Sequence, residues 1–221
     1  MRQELSKAWK MQNYGMGKTG QMVFSIIFFV LGTIVNLFPV FQSNAMDVGT
    51  VFLMCAAMFP AQLVLSTNMA QMVQASPYKK RLQTSMPVRI SLACTLAMFG
   101  WAVFLQVMSS KIQQTAFSQQ GLHILLIGIW AFIMMVFSGV AYKFFLAALL
   151  VVYVLMFAAG FGIGINYEAF EHAAIHPLAA ILADLVLIFA GALIQYGLQK
   201  LLYKFPLSKY AFGSGMKKEI S

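Results

Sequence analysis

"MVFSIIFFVLGTIVNLFPVFQ", Met22 to Gln42, contains no charged side chain. A helix that crosses a bilayer needs about 20 largely apolar residues, and this run has that length. It exceeds the apolar core of a secretory leader, about 7–15 residues. The "SNA" that follows, Ser43 to Ala45, resembles a cleavage site, but the long core argues for a retained span. Five further runs of the same kind follow: Val48 to about Met69, Val88 to Met108, Leu122 to Val140, Phe145 to Ile165 and Leu178 to Leu198. They are continuous rather than alternating, which excludes a transmembrane β-barrel. Lipid offers no partner to open backbone, so such runs cross it as helices.

The chain around these runs lacks the surface of a soluble protein. Charged residues make up 10% and hydrophobic ones 61%, with a mean hydropathy of +0.79; soluble domains carry about a quarter charged residues. The net charge of +9 would suggest nucleic acid in a soluble chain. Here its distribution points to a membrane instead, and no nucleic-acid partner is expected. With the N-terminus inside, every Lys and Arg except Lys111 falls in an inner segment, as short cytoplasmic loops require. Asp47, Glu168 and Glu171 fall outside. The expected fold is therefore an all-α integral membrane protein with six transmembrane helices and both termini cytoplasmic. Residues 1–21 form an N-terminal interfacial helix, 22–198 the six-helix domain and 199–221 a cytoplasmic tail. Cys55 and Cys94 lie in apolar runs, where a free thiol behaves as a small hydrophobe.

Two apparent catalytic motifs fail on spacing. "GMGKTG", Gly15 to Gly20, contains a Gly-Lys-Thr, but Gln12 stands where a phosphate-binding loop needs its first glycine. In "FSGV", Phe137 to Val140, Val136 stands where a serine-nucleophile turn needs glycine. His123, His172 and His176 belong to the opposite membrane edge from Ser138, out of hydrogen-bond reach. Small-residue helix packing is the better reading of that segment. The chain is not expected to be an enzyme.

Polar residues in apolar surroundings carry more weight. Asp184 lies inside the sixth run, in "LAAILADLVLIF", and an intramembrane carboxylate is a candidate for a substrate path. In the outer segment "NYEAFEHAAIHP", Glu168, His172 and His176 recur every four residues. On a helix they would share a face that suits zinc, but the motif lacks the extra residues of a known metal site. An amphipathic helix at the interface is the better reading of the segment, and no metal is assigned. "GFGIG", Gly160 to Gly164, spaces two glycines for close helix approach.

The least hydrocarbon-like inner segment is "QASPYKKRLQTSMPVRI", Gln74 to Ile90. Ser76 can cap a helix and Pro77 suits its first turn. Tyr78, Leu82 and Met86 then recur on one face, with Lys79, Lys80, Arg81 and Gln83 around the rest. Pro87 disfavours helix at Met86, so a short helix is expected to end there. Its apolar stripe and basic flanks suit anionic lipid or a groove on a cytosolic protein. In "ELSKAWKMQNYGM", Leu5, Ala8, Trp9 and Met16 alternate with Lys7 and Lys10, as in an interfacial helix that leads into the first span.

This arrangement resembles the permease subunits of type-2 ATP-binding-cassette (ABC) exporters. These have six spans, cytoplasmic termini, an N-terminal interfacial helix and a coupling helix between spans two and three. "SMPVRI", Ser85 to Ile90, is similar to the small-x-Pro segment after that coupling helix, and "SPYKKRLQ" occupies the coupling helix's place. The outer segment Asn166 to Pro177 matches the place of the family's short re-entrant helices. The resemblance covers the layout of nearly the whole chain but only a short stretch in motif, and the outer loops are shorter than in many members.

The resemblance implies a transport subunit that binds no nucleotide and carries no cofactor. ATP and magnesium would belong to a separate cytosolic ATPase, docked through Ser76, Pro77, Tyr78, Lys79, Lys80, Arg81 and Leu82. A second permease chain, identical or not, and membrane lipid would be the other partners, in a bacterial plasma membrane. The substrate expected is small and hydrophobic or amphipathic, a peptide first. The competing expectation is an ATP-independent secondary transporter or channel that uses Asp184, although the internal repeats common in such folds are not evident here.

Overall fold

The computed structural model describes residues 18–37, 48–66, 77, 79–112, 120–141, 143–165 and 175–205. Among them the elements are all helical: α1 (Lys18–Leu37), α2 (Val48–Ser66), α3 (Lys79–Gln83), α4 (Ser85–Ile112), α5 (Gly121–Ala141), α6 (Phe145–Ile165) and α7 (Pro177–Leu202). The expected N-terminal interfacial helix and most of the C-terminal tail lie outside the described residues.

Three segments are long and apolar enough to cross a membrane: Lys79–Ile112, Gly121–Ala141 and Pro177–Leu202. Gln21–Leu37 and Val48–Gln62 are shorter apolar helical stretches. The outer surface of the bundle supports the same reading. Ile26 on α1, Leu150 and Tyr153 on α6, and Leu182, Val186 and Leu193 on α7 are all exposed. In water an apolar surface of that extent would drive association; in a bilayer it faces lipid.

The bundle is built on two close helix pairs. α1 and α2 run antiparallel, as Asn36 meets Gly49 near one end and Phe24 stacks on Phe59 near the other, with ring centroids 6.3 Å apart. Glycine allows the approach: a Cβ at Gly32 would stand 2.9 Å from the Gly49 carbonyl oxygen, as expected where lipid supplies no drive and packing must. Ser25 Oγ donates to the Ala56 carbonyl at 3.1 Å across this seam. α4 joins through Trp101, whose ring lies 5.8 Å from that of Phe29 and whose Nε1 donates to Thr33 Oγ1 at 3.1 Å.

The second pair, α5 and α7, is parallel. Gly128 meets Asp184, Met135 meets Gly191 and Gly139 meets Gln195, so both helices advance in the same direction at constant offset. α5 is the central helix and touches α2, α4, α6 and α7. Its Ile124, Ile127, Trp130, Ala131 and Met135 are buried together with Leu53 of α2, Leu105 of α4 and Ile188 of α7. A helix apolar on every side suits that position.

The inner segment between the second and third runs differs from expectation in one respect. The helix break falls at Thr84, not at Pro87. Pro87 occupies the first turn of α4, where an N–H has no intrahelical acceptor and its absence costs little. Thr84 Oγ1 donates back to the Lys80 carbonyl at 2.7 Å, which satisfies an end group of α3. α4 therefore begins three residues before the apolar run and continues four past it.

Candidate functional site

Two regions combine polar chemistry with a defined position in the bundle. The first is its basic end. α3 packs on α4 and α2. It buries Leu82, Gln83 and the adjoining Thr84, half-buries Lys79, and exposes Lys80 and Arg81. Leu82 is 4% exposed, so it anchors the short helix to its own protein. Pro77 is exposed; Ser76 and Tyr78 lie outside the described residues. The hydrophobic stripe thus faces inward at Leu82 and the cations face outward.

The turn between α5 and α6 belongs to the same end. Its Lys143, 2% exposed, donates through Nζ to the main-chain carbonyls of Leu202, Tyr203 and Phe205, the second at 3.1 Å. The carbonyl end of a helix carries partial negative charge and favours a cation. Nζ also lies 6.0 Å from the centre of the Tyr203 ring. Burial, and then the like charge of Lys79 on α3, push the Lys143 ammonium down to about 8. Sequence reading treated Lys143 only as a topological charge. The one signal for more was its position as a single cation in a four-residue turn, "AYKF", between two long apolar runs.

The second region is the buried face of α7. Asp184 is 0% exposed and its carboxylate lies directly on the backbone of Gly128. A Cβ there would stand 2.1 Å from Oδ1 and 2.5 Å from Cγ. Neither carboxylate oxygen has a hydrogen-bond partner in well-formed geometry among the described residues, and the same is true of the side-chain amide nitrogen and oxygen of Gln195 further along α7 and of Gln62 in α2. Asp184, Ile188, Gly191, Gln195 and Gln199 recur every three or four residues and are all buried, so one face of α7 is both buried and polar. Sequence reading found Asp184 but missed Gly128, one glycine in an apolar run.

The other candidates separate. Ser138 Oγ donates to the Met134 carbonyl at 2.9 Å within its own helix, a back-bond common for serine in apolar helices. His123 starts the same helix about four turns away. His176 caps α7: its Nδ1 accepts from Leu178 N–H at 3.3 Å, with Pro177 in the first turn. Glu168 and His172 lie outside the described residues. No group of three or more metal-ligating side chains occurs among the described residues.

The helices and their exposed apolar faces support an integral membrane protein. No family model, curated protein or solved structure matches the chain.

Proposed function

We propose that this chain is the membrane-spanning permease subunit of an ABC exporter. It crosses a bacterial plasma membrane six times with both termini inside, and moves a small hydrophobic or amphipathic substrate, a peptide being the first candidate. A separate cytosolic ATPase supplies the work, and two permease chains together form the path. The observation that carries the reading is the construction of α3. It is a single short turn of helix, anchored inward by Leu82 and presenting Lys80 and Arg81 outward. Only Thr84 separates it from the 28-residue α4. A force applied to α3 passes into α4 as a rigid body, the kind of linkage that domain motions use.

Co-expression with a candidate ATPase tests the proposal. Tyr78→Ala, or Lys80→Glu together with Arg81→Glu, is expected to abolish co-purification and substrate-stimulated ATP hydrolysis while the permease still inserts. Full activity of the chain reconstituted alone, driven by an ion gradient, would overturn the exporter reading. That result would favour the second reading, a secondary transporter or channel, for which the buried carboxylate of Asp184 speaks.

A further inference from the structure

We propose that the buried polar face of α7 is an occluded site for a short apolar peptide with a free amine, its ammonium held at Asp184 and a main-chain amide at Gln195. The inference deepens the exporter reading, on which the choice of a peptide rests, by naming the substrate groups that this chain grips.

Two side chains on that face lack partners where burial makes partners matter most. Asp184 and Gln195 are both 0% exposed, and neither has a hydrogen-bond partner in well-formed geometry among the described residues. Buried polar groups are nearly always paired, and a carboxylate shielded from water is costly without a cation. Two such groups on one helix face point to a ligand that brings the partners with it. The carboxylate takes an ammonium, the charge it lacks. The glutamine amide sets a donor beside an acceptor, which matches the C=O and N–H of a peptide chain. At a rise of about 1.5 Å per residue, the two side chains stand about 16 Å apart along α7. About five extended residues span that distance. Ile188 lies between them and Met135 faces them from α5, both buried, so the middle of the ligand is apolar.

The seam over this face is one that can part. Gly128, Gly191 and Gly139 bring bare backbone against Asp184, Met135 and Gln195. Neither polar side chain bonds across the seam in well-formed geometry, so no hydrogen bond of theirs must break when α7 moves from α5. Within a bilayer, separating two apolar helix faces exposes them to lipid tails and not to water. Parting gives the ligand access to both groups, and the closed seam is the occluded form.

Binding to the full chain in lipid nanodiscs tests this, with empty nanodiscs as the blank and no ATPase present. The probe is a radiolabelled pentapeptide amide of leucine and phenylalanine with a free N-terminal amine, compared with its N-acetylated form. The free amine should bind more tightly by roughly tenfold to a hundredfold, the range for a hydrogen bond to a charged group. Asp184→Asn should erase that preference. Gln195→Leu should weaken both forms by about three- to tenfold and leave the preference in place.

A disulfide can hold the seam shut. A Cβ at Gly191 would stand 3.3 Å from the Met135 Cβ, near the roughly 3.5–4.5 Å of a disulfide. With Cys55 and Cys94 replaced by serine, the oxidised chain carrying Met135→Cys and Gly191→Cys should not bind, and a reductant should restore binding. Absence of binding to the wild-type chain, equal binding of the two peptides, a preference that survives Asp184→Asn, or binding to the oxidised chain would each overturn the inference. None of these results decides whether an ATPase drives the chain, and activity of the chain alone on an ion gradient would leave the peptide site standing.

Discussion

The carboxylate of Asp184 rests on the bare backbone of Gly128, so close that a methyl group at 128 would stand 2.1 Å from Oδ1. The two residues define the register of the parallel α5–α7 pair. The clash in Gly128→Ala would involve the Asp184 Cβ and Cγ as well as Oδ1, so a rotation of the carboxylate alone cannot relieve it. Overpacking of this kind costs about 1–3 kcal/mol, more than the roughly 1 kcal/mol that alanine gains over glycine in a helix. Thermal unfolding in detergent should show a net loss for Gly128→Ala. Asp184→Ala in the same chain should restore part of it, as residues in contact do in a double-mutant cycle.

Asp184→Asn separates shape from charge. The amide fills the same notch over Gly128 and removes an ionisable group that has no opposite charge beside it among the described residues. Replacement of buried charge by a neutral isostere is often neutral or stabilising. The variant should unfold at or above the wild-type temperature. If Asp184 serves the substrate path, transport should fall while that stability is kept; unchanged transport would remove Asp184 from the path.

Glycines differ sharply in what surrounds them. Gly32 faces the Gly49 carbonyl oxygen and Leu53, whereas a methyl group added at Gly100 or Gly197 would meet nothing within 4 Å. Gly32→Ala should lower the unfolding temperature by forcing α1 from α2. Gly100→Ala and Gly197→Ala should raise it slightly, since alanine gains about 0.5–1 kcal/mol in a helix interior. Unfolding curves of the three variants, taken side by side, check the order.

The charge distribution predicts orientation. Lys79, Lys80, Arg81, Arg89 and Lys143 gather at one end of the helices and Lys111 ends α4 at the other. In a chain with Cys55 and Cys94 replaced by serine, a membrane-impermeant maleimide should label Lys111→Cys in intact cells. Lys80→Cys should react only after lysis. The reverse pattern would invert the proposed topology.

Much of the helical layout was legible because continuous apolar runs leave lipid-exposed backbone few alternatives. The run Phe145 to Ile165 coincides with α6, and α5 and α7 exceed their runs by only a few residues. Pro87 was less legible: from sequence it reads as a stop, but its effect depends on whether it falls before or inside a first turn. Asp184 stood out because a carboxylate is rare in such surroundings. Gly128 and Lys143 did not, since their roles come from contacts with residues more than fifty positions away. Periodicity along one helix carries no information about such a partner. The basic face of α3 was visible in "PYKKRLQ", but the inward burial of Leu82 required the fold.

The parallel alignment of α5 and α7 also bears on the order of assembly. Two neighbouring helices that point the same way cannot be joined by a tight hairpin; the intervening chain must first travel back along the bundle. During synthesis, then, Gly128 waits with an empty notch while α6 is made, and Asp184 arrives only with α7. The α5–α7 seam can therefore close only after α6 has been made, and it closes over a carboxylate whose burial depends on the notch at Gly128.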